Sequence, residues 1–184
     1  MLDYPPKLDI NVPMVAFFGP MGSGKTYAAD NIFTRYEKFS LAAPLKATAR
    51  EYYGVTGKTN DERQILQELA DDLKKWDNDV FTKRLLWAVT RFYDSGARRP
   101  AVVDDMRFTH EARDLRAFGF TLVRVEVPES TRLARIKEKY PDTDPARFEH
   151  ASETQWRDII PDFVIRGDGD LDLQGLRLKL GGIQ

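Results

Sequence analysis

The sequence predicts an α/β fold in three layers: a central five-stranded parallel sheet with helices on both faces and a lid. Three observations predict it. Short apolar runs recur along the chain and alternate with stretches whose apolar residues fall at helical spacing. The first run, residues 14–19 (MVAFFG), is apolar throughout, as a central parallel strand buried on both faces requires. That run passes directly into a glycine-rich stretch and then into a helical one, the strand–loop–helix order from which such sheets are built.

Residues 1–13 carry Pro5, Pro6 and Pro13, which disfavour a helix and leave an extended arm leading into the first strand. The helix after Gly24 is expected to run to about Lys38. Residues 39–42 (FSLA) make a short second strand, and Pro44 opens a helix toward Tyr53. Thr59 and Glu62 have capping-box spacing, and Ile65, Leu66, Leu69, Leu73 and Trp76 then share one helical face. Asn78 or Asp79 can cap another helix, striped by Phe81, Leu85, Ala88, Val89 and Phe92 and ended by SGARRP. Residues 101–105 (AVVDD) read as a third buried strand ending in carboxylates, followed by a helix to Phe118. FTLVRVEV is a fourth strand, PESTRLARIKEK a helix, and YPDTDPARFEHASETQ a polar, proline-interrupted segment. DFVIRG is the last strand and residues 171–180 a closing helix.

In such a sheet ligands bind beyond the carboxyl ends of the strands, which puts Gly19, Ala43, Asp104, Asp105, Pro128 and Gly167 along one rim. The chain has 184 residues, 42% of them hydrophobic, enough for one well-buried core and short for two, so a single domain is expected. Its 28 basic and 29 acidic residues nearly cancel, and no overall field draws it to nucleic acid or to an anionic membrane. No apolar run reaches the roughly 18 residues that span a bilayer, and the N-terminus lacks the blocks of a secretory signal. A cytoplasmic protein that stays off membranes and makes no stable nucleic-acid complex is expected. With no cysteine, any chemistry must come from oxygen and nitrogen groups.

Gly19-Pro20-Met21-Gly22-Ser23-Gly24-Lys25-Thr26 matches the phosphate-binding pattern G-x-x-x-x-G-K-[ST] in full. Glycines permit a turn whose backbone N–H groups point inward at phosphate oxygens, and the helix that follows adds its positive end. Lys25 reaches the β- and γ-phosphates, and the Thr26 hydroxyl is a ligand for Mg²⁺. The motif therefore predicts ATP and Mg²⁺. A guanine switch would need N-K-x-D, and the nearest string, Lys74-Lys75-Trp76-Asp77, lacks the asparagine and lies on a helix. What remains is the class of small kinases, whose task is to hold two anions and neutralise charge with converging basic groups. Lys46, Arg63, Arg107, Arg132 and Arg135 are the candidates.

Four segments carry a resemblance. FSLAAPLKATA, ERQILQELADDLKKWDNDVFTKRL and VVDDMRFTHEARDLRAFGFTLVRVEV resemble segments of bacteriophage deoxynucleoside monophosphate kinases. HASE is similar to a short H-x-S-E segment of animal phosphomevalonate kinases, built on the same plan. The similarity spans most of residues 14–170 and implies the P-loop kinase fold, with acceptor-binding helices over about 44–95 and a lid over about 136–156. It implies an enzyme converting deoxynucleoside monophosphates to diphosphates with ATP, monomeric or homodimeric, in the host cytoplasm if of phage origin.

Carried over residue by residue, Gly19, Met21, Gly22, Ser23, Gly24, Lys25 and Thr26 hold the donor, with Gly167 offering backbone to the adenine edge. Asp105, two before Arg107, matches the family's strand-end aspartate, in the Mg²⁺ shell or on the acceptor. Asp104, on the opposite strand face, is the alternative Mg²⁺ partner alongside Thr26. Leu45, Lys46, Arg63, Gln64 and Gln67 match the acceptor site, where Trp76 is a candidate for stacking on a base. Ala70 stands where the family has a glycine. Arg132 and Arg135, on one helical face, match the arginines flanking the lid, and His150, Ser152 and Glu153 are expected contacts from it. Lys25, Asp105, Arg107, Arg132 and Arg135 form the expected catalytic group. A phosphomevalonate-like acceptor, a hydroxyl on a modified DNA base, and a non-catalytic ATP-binding module are the alternatives.

Overall fold

The computed structural model describes residues 3–56, 59–139, 154–167 and 172–181. The chain forms two compact units, one of Met1–Pro6 and Phe39–Ala97, the other of Lys7–Lys38 and Arg98–Gln184.

The larger unit is built on β1 (Met14–Phe18), β3 (Ala101–Val103), β4 (Thr121–Glu126) and β5 (Phe163–Arg166), joined at one edge by β2 (Glu37–Phe39). Strand order is β2-β3-β1-β4-β5. β1 runs parallel to β3, pairing Val15 with Val102, and to β4, pairing Phe17 with Val123; β4 runs parallel to β5. All five residues of β1 are buried, the reason its sequence shows no polar alternation. From β1 the chain continues to β2 and β3 on one side and returns to β4 and β5 on the other. The switch point, where ligands bind in open α/β sheets, therefore lies beyond the carboxyl end of β1.

One face of this sheet packs on α1 (Lys25–Asn31) and α7 (Leu173–Lys179). Val15, Phe17, Val102, Val123, Val125 and Ile165 of the strands meet Ala28, Ala29 and Ile32 of α1 and Leu176 of α7. α5 (Thr109–Phe118) and α6 (Glu129–Lys139) complete the unit.

The smaller unit holds α2 (Ala43–Tyr53), α3 (Asn60–Trp76) and α4 (Val80–Asp94). α2 opens with proline in its first turn and ends on Gly54, at φ 66°, where a left-handed residue is needed. α3 opens with the expected capping box, Thr59 Oγ1 accepting from the Glu62 N–H at 3.2 Å while Glu62 Oε2 accepts from the Thr59 N–H at 3.3 Å.

Three expectations are corrected. The helix from Gly24 ends at Asn31 rather than near Lys38, because the chain turns to start β2 at Glu37, whose N–H donates to Pro100 O at 2.8 Å. The second strand is accordingly residues 37–39 and not FSLA. The stripe of α4 is shifted: Leu85 and Val89 are buried with Leu86 and Tyr93, whereas Phe81, Ala88 and Phe92 are only partly covered. Asp79 stands at its N-cap position but makes no side-chain cap, and no helix among the described residues is long and apolar enough to cross a membrane.

Candidate functional site

Gly19 follows β1, and a positive φ of 138° turns the chain sharply there; Gly22 at 82° and Gly24 at 98° continue the loop into α1. These conformations are open to glycine and strained for other residues. Space demands the glycines as well. A Cβ on Gly19 would stand 2.6 Å from Val125 O, and one on Gly22 would stand 3.0 Å from Arg132 O and 3.1 Å from Ile136 Cγ1. Bare backbone therefore lets β4 and α6 close on the loop.

Lys25 lies back across the loop, its ammonium donating to Gly19 O at 2.9 Å and Pro20 O at 2.8 Å. Ser23 is fully buried, and its hydroxyl has no hydrogen-bond partner among the described residues. A buried orphan hydroxyl is costly, and in a glycine loop that opens a helix it suits an anionic oxygen. A cationic amine, an unsatisfied hydroxyl and a glycine cradle are a donor set that fits a polyphosphate. Thr26, in the first turn of α1, is exposed.

α6 brings two arginines to the same loop. Arg135 Nη1 lies 3.4 Å from Gly22 O, and Arg132, hydrogen-bonded to Glu129 at 2.6 Å, stacks its stem against Gly22. That hydrogen bond holds the Glu129 carboxyl below its ordinary value. Arg135 thus points its guanidinium at the loop backbone, whereas Arg132 lies beside the loop with its guanidinium held by Glu129.

The last strand supports the loop from the other side. Gly167 N–H extends the β4–β5 ladder to Glu126 O at 2.6 Å, and a Cβ on Gly167 would overlap the Ser23 carbonyl. Gly167 is therefore a close-approach glycine beneath the loop.

The two strand-end aspartates differ by face. Val102 belongs to the core on the α1 face, so by strand alternation Asp104 belongs to that face too. Asp104 Oδ2 pairs with Lys38 Nζ at 2.9 Å, and the same ammonium pairs with Asp30 of α1 at 3.0 Å. Tyr36 Oη donates to Asp30 at 3.0 Å. Burial alone would lower the Lys38 pKa, but its bonds to Asp104 and Asp30 prevail and raise it; Lys38 in turn holds the Asp30 carboxyl low. Magnesium is commonly bound through one or two carboxylates plus substrate phosphates; Asp104 is a carboxylate and Thr26 a hydroxyl, oxygen donors of the type that ion takes.

Asp105 lies on the opposite face and leads to Arg107, whose side chain is exposed. Buried Glu111 clamps this turn, its carboxylate accepting from the N–H groups of Arg107 at 2.8 Å and Phe108 at 3.0 Å. Sequence reasoning left Glu111 and Lys38 without roles. Glu111 lies within the segment VVDDMRFTHEARDLRAFGFTLVRVEV that carries the resemblance, a visible signal for the first; nothing local marked the second.

In the smaller unit, Leu45 is buried in α2 while Lys46, one residue on, is exposed. Arg63 lies in the first turn of α3 with Gln67 one helical turn later, and Gln64 is tied along the helix to Glu68 at 2.9 Å. The apolar stripe of α3 is not a core face: Trp76 is 83% exposed and Ile65 42%. His150, Ser152, Glu153 and most of the expected lid lie outside the described residues.

No protein-family model matches the chain, and no curated protein does. Solved structures do. The APS kinase CysC of Mycobacterium tuberculosis, in complex with AMPPNP and APS, has a TM-score of 0.54 at 18% identity, covering 96% of this chain and 98% of its own. A protein of Chloroflexus aurantiacus proposed to be a kinase gives 0.60 at 15% identity, over 96% and 100% of the two chains. The tunicamycin resistance protein of Deinococcus radiodurans gives 0.54 at 16% identity, over 94% and 97%. The glycine loop after a central strand, the five-stranded parallel sheet with helices around it and these likenesses together establish that the chain has the P-loop kinase fold.

Proposed function

We propose that the protein is an ATP-dependent kinase that converts deoxynucleoside monophosphates to diphosphates. The observation that carries the kinase reading is the phosphate loop, which holds the Lys25 amine and the buried Ser23 hydroxyl and lies against α6, the helix of Arg132 and Arg135. A neighbour of the same fold holding AMPPNP supports a nucleoside triphosphate as donor. The P-L-K, D-M-R-F and H-A-S-E segments support a monophosphate acceptor.

Lys25 exchanges its bonds to Gly19 O and Pro20 O for donor phosphate oxygens. Arg132 and Arg135 neutralise charge as an acceptor phosphate oxygen bonds to the γ-phosphorus and the bond to the β-phosphate oxygen breaks, releasing ADP. By the resemblance, Lys46, Arg63 and Gln67 of the smaller unit are acceptor-binding residues; in the larger unit Arg107 is the candidate for an acceptor phosphate, and Asp105 is assigned to the Mg²⁺ shell or to the acceptor. Thr26 and Asp104 hold the Mg²⁺ shell, which supplies further charge neutralisation when bound. No covalent enzyme intermediate is involved.

The test is an ADP-release assay with each common deoxynucleoside monophosphate, modified ones, phosphomevalonate and single-stranded DNA as acceptors. Acceptor-dependent turnover is expected on at least one deoxynucleoside monophosphate. Lys25→Ala should weaken ATP binding by about 10- to 150-fold, the equivalent of a lost charge-assisted hydrogen bond at about 1.5–3 kcal/mol. Turnover on none of the monophosphates would refute the reading.

A further inference from the structure

We infer that Lys38 is a positioning residue for the divalent cation that accompanies the nucleotide: its ammonium fixes the Asp104 carboxylate and braces it against α1 through Asp30. The inference rests on the donor site proposed above and concerns a residue outside the phosphate motif.

The geometry is a closed chain of three elements. Lys38 projects from the edge strand β2, Asp104 ends the neighbouring strand β3, and Asp30 sits on the helix that begins at the phosphate loop. One ammonium bonds both carboxylates, at 2.9 Å to Asp104 and 3.0 Å to Asp30, and Tyr36 Oη supplies a second donor to Asp30. The two carboxylates differ in setting: the Asp104 side chain is 11% exposed, whereas that of Asp30 is 46% exposed. A mostly buried carboxylate needs a countercharge and a defined rotamer, and Lys38 provides both. Asp30 is the outer anchor, keeping the flexible four-carbon stem in place.

The arrangement is additive rather than competitive. Lys38 engages Oδ2 of Asp104, and an ionised carboxylate has acceptor capacity on both oxygens. Magnesium keeps several waters and meets protein through one or two carboxylates, so one oriented oxygen is sufficient. A compact ammonium with three donors can bridge two carboxylates on different elements, whereas a planar guanidinium is suited to binding one carboxylate bidentately. The same chain of bonds ties the Asp104 carboxylate to α1, the helix that begins at the phosphate loop. Partners of this kind, which touch the ligand residue and not the metal, commonly cost 10- to 100-fold in metal affinity when removed.

The test is calorimetric titration of ATP into the whole protein with Mg²⁺ and, separately, with a chelator, for wild type, Lys38→Met, Lys38→Arg and Asp30→Asn. The readout is the factor by which Mg²⁺ raises ATP affinity. Lys38→Met should shrink that factor by about 10- to 100-fold while chelator-state affinity stays within about twofold. Lys38→Arg should recover part of the loss, and Asp30→Asn should fall between wild type and Lys38→Met. An unchanged factor in Lys38→Met, a larger one from relief of competition, or an equal loss in chelator would overturn the inference. Should Lys38→Met fail to fold, the Asp30→Asn and Lys38→Arg factors decide, and wild-type values in both overturn it. A wild-type protein that binds no ATP would instead overturn the function proposed above.

Discussion

Replacing Gly167 by alanine probes whether the phosphate loop depends on a backbone it does not adjoin in sequence. The new Cβ would stand 3.1 Å from Val125 Cγ1 and 3.4 Å from the Ser23 carbonyl carbon, and closer still to the Ser23 oxygen. A carbon tolerates a carbonyl oxygen at about 3.3–3.6 Å, so one side must give by about 1 Å. β5 cannot easily give, because the Gly167 N–H is bound to Glu126 O at 2.6 Å. The loop moves instead and carries Ser23 with it. Overpacking of this kind costs about 1–3 kcal/mol, and a domain of this size loses about 2–4 °C in melting temperature per kcal/mol, giving about 2–12 °C. A displacement of about 1 Å at a positioned group costs on the order of 100-fold in function. The assay pairs thermal melting with ATP titration, using Gly54→Ala as the control. Gly54 closes α2 at φ 66° with nothing within 4 Å of a Cβ, so its replacement costs about 1–2 kcal/mol of backbone strain without touching the loop. Gly167→Ala with wild-type ATP affinity would refute the reasoning, as would Gly54→Ala matching its loss of affinity.

Two further outcomes follow from the smaller unit. Burial alone would raise the Asp77 carboxyl, but Lys83, at 2.9 and 3.1 Å, and the Asp79 N–H outweigh it and hold it below its ordinary value. A lowered folded value means stability that is present above the unfolded value of about 3.9 and lost as pH falls through the folded one. Asp77→Asn should therefore be less stable than wild type near neutrality yet flatter between about pH 5 and pH 2, read from urea midpoints; parallel acid limbs would count against the pair. Trp76, 83% exposed, should tolerate alanine within about 0.5 kcal/mol of stability. If its ring stacks on the acceptor base, the same variant raises the acceptor KM by about 5- to 150-fold, the equivalent of about 1–3 kcal/mol; an unchanged KM removes it from the acceptor site.

The legible parts of the chain were those whose physics is local. Residues 14–19 read as a buried strand because burial on both faces leaves no polar position, and all of Met14–Phe18 is buried. The capping box at Thr59 and Glu62 needed only three-residue spacing, and the bonds are there. Misreadings arose where a distant partner decides. Residues 32–38 (IFTRYEK) carry no proline or glycine to mark a helix end, although Ile32, Phe33, Thr34 and Tyr36 favour strand; the bond from Glu37 to Pro100, just before β3, belongs to a partner far along the chain. The α3 stripe has the periodicity of a core face, yet periodicity does not report whether anything lies opposite.

Spacing within eight residues was enough to predict the loop: glycines that adopt positive φ, then a lysine and a hydroxyl at the start of a helix. The arginines of α6 were named through the resemblance. Lys38 and the reason for Gly167 could not be named, because each acts on a residue that is close in the fold but far away along the chain, whereas Glu111 reaches back only three and four residues. Lys38 meets Asp104 only because β2 is beside β3, and Gly167 meets Ser23 only because β5 ends beneath the loop that β1 begins. Short-range geometry follows from bond angles and turn conformations, which the residues carry with them; long-range contacts follow from strand order, which forms only when the sheet buries its faces.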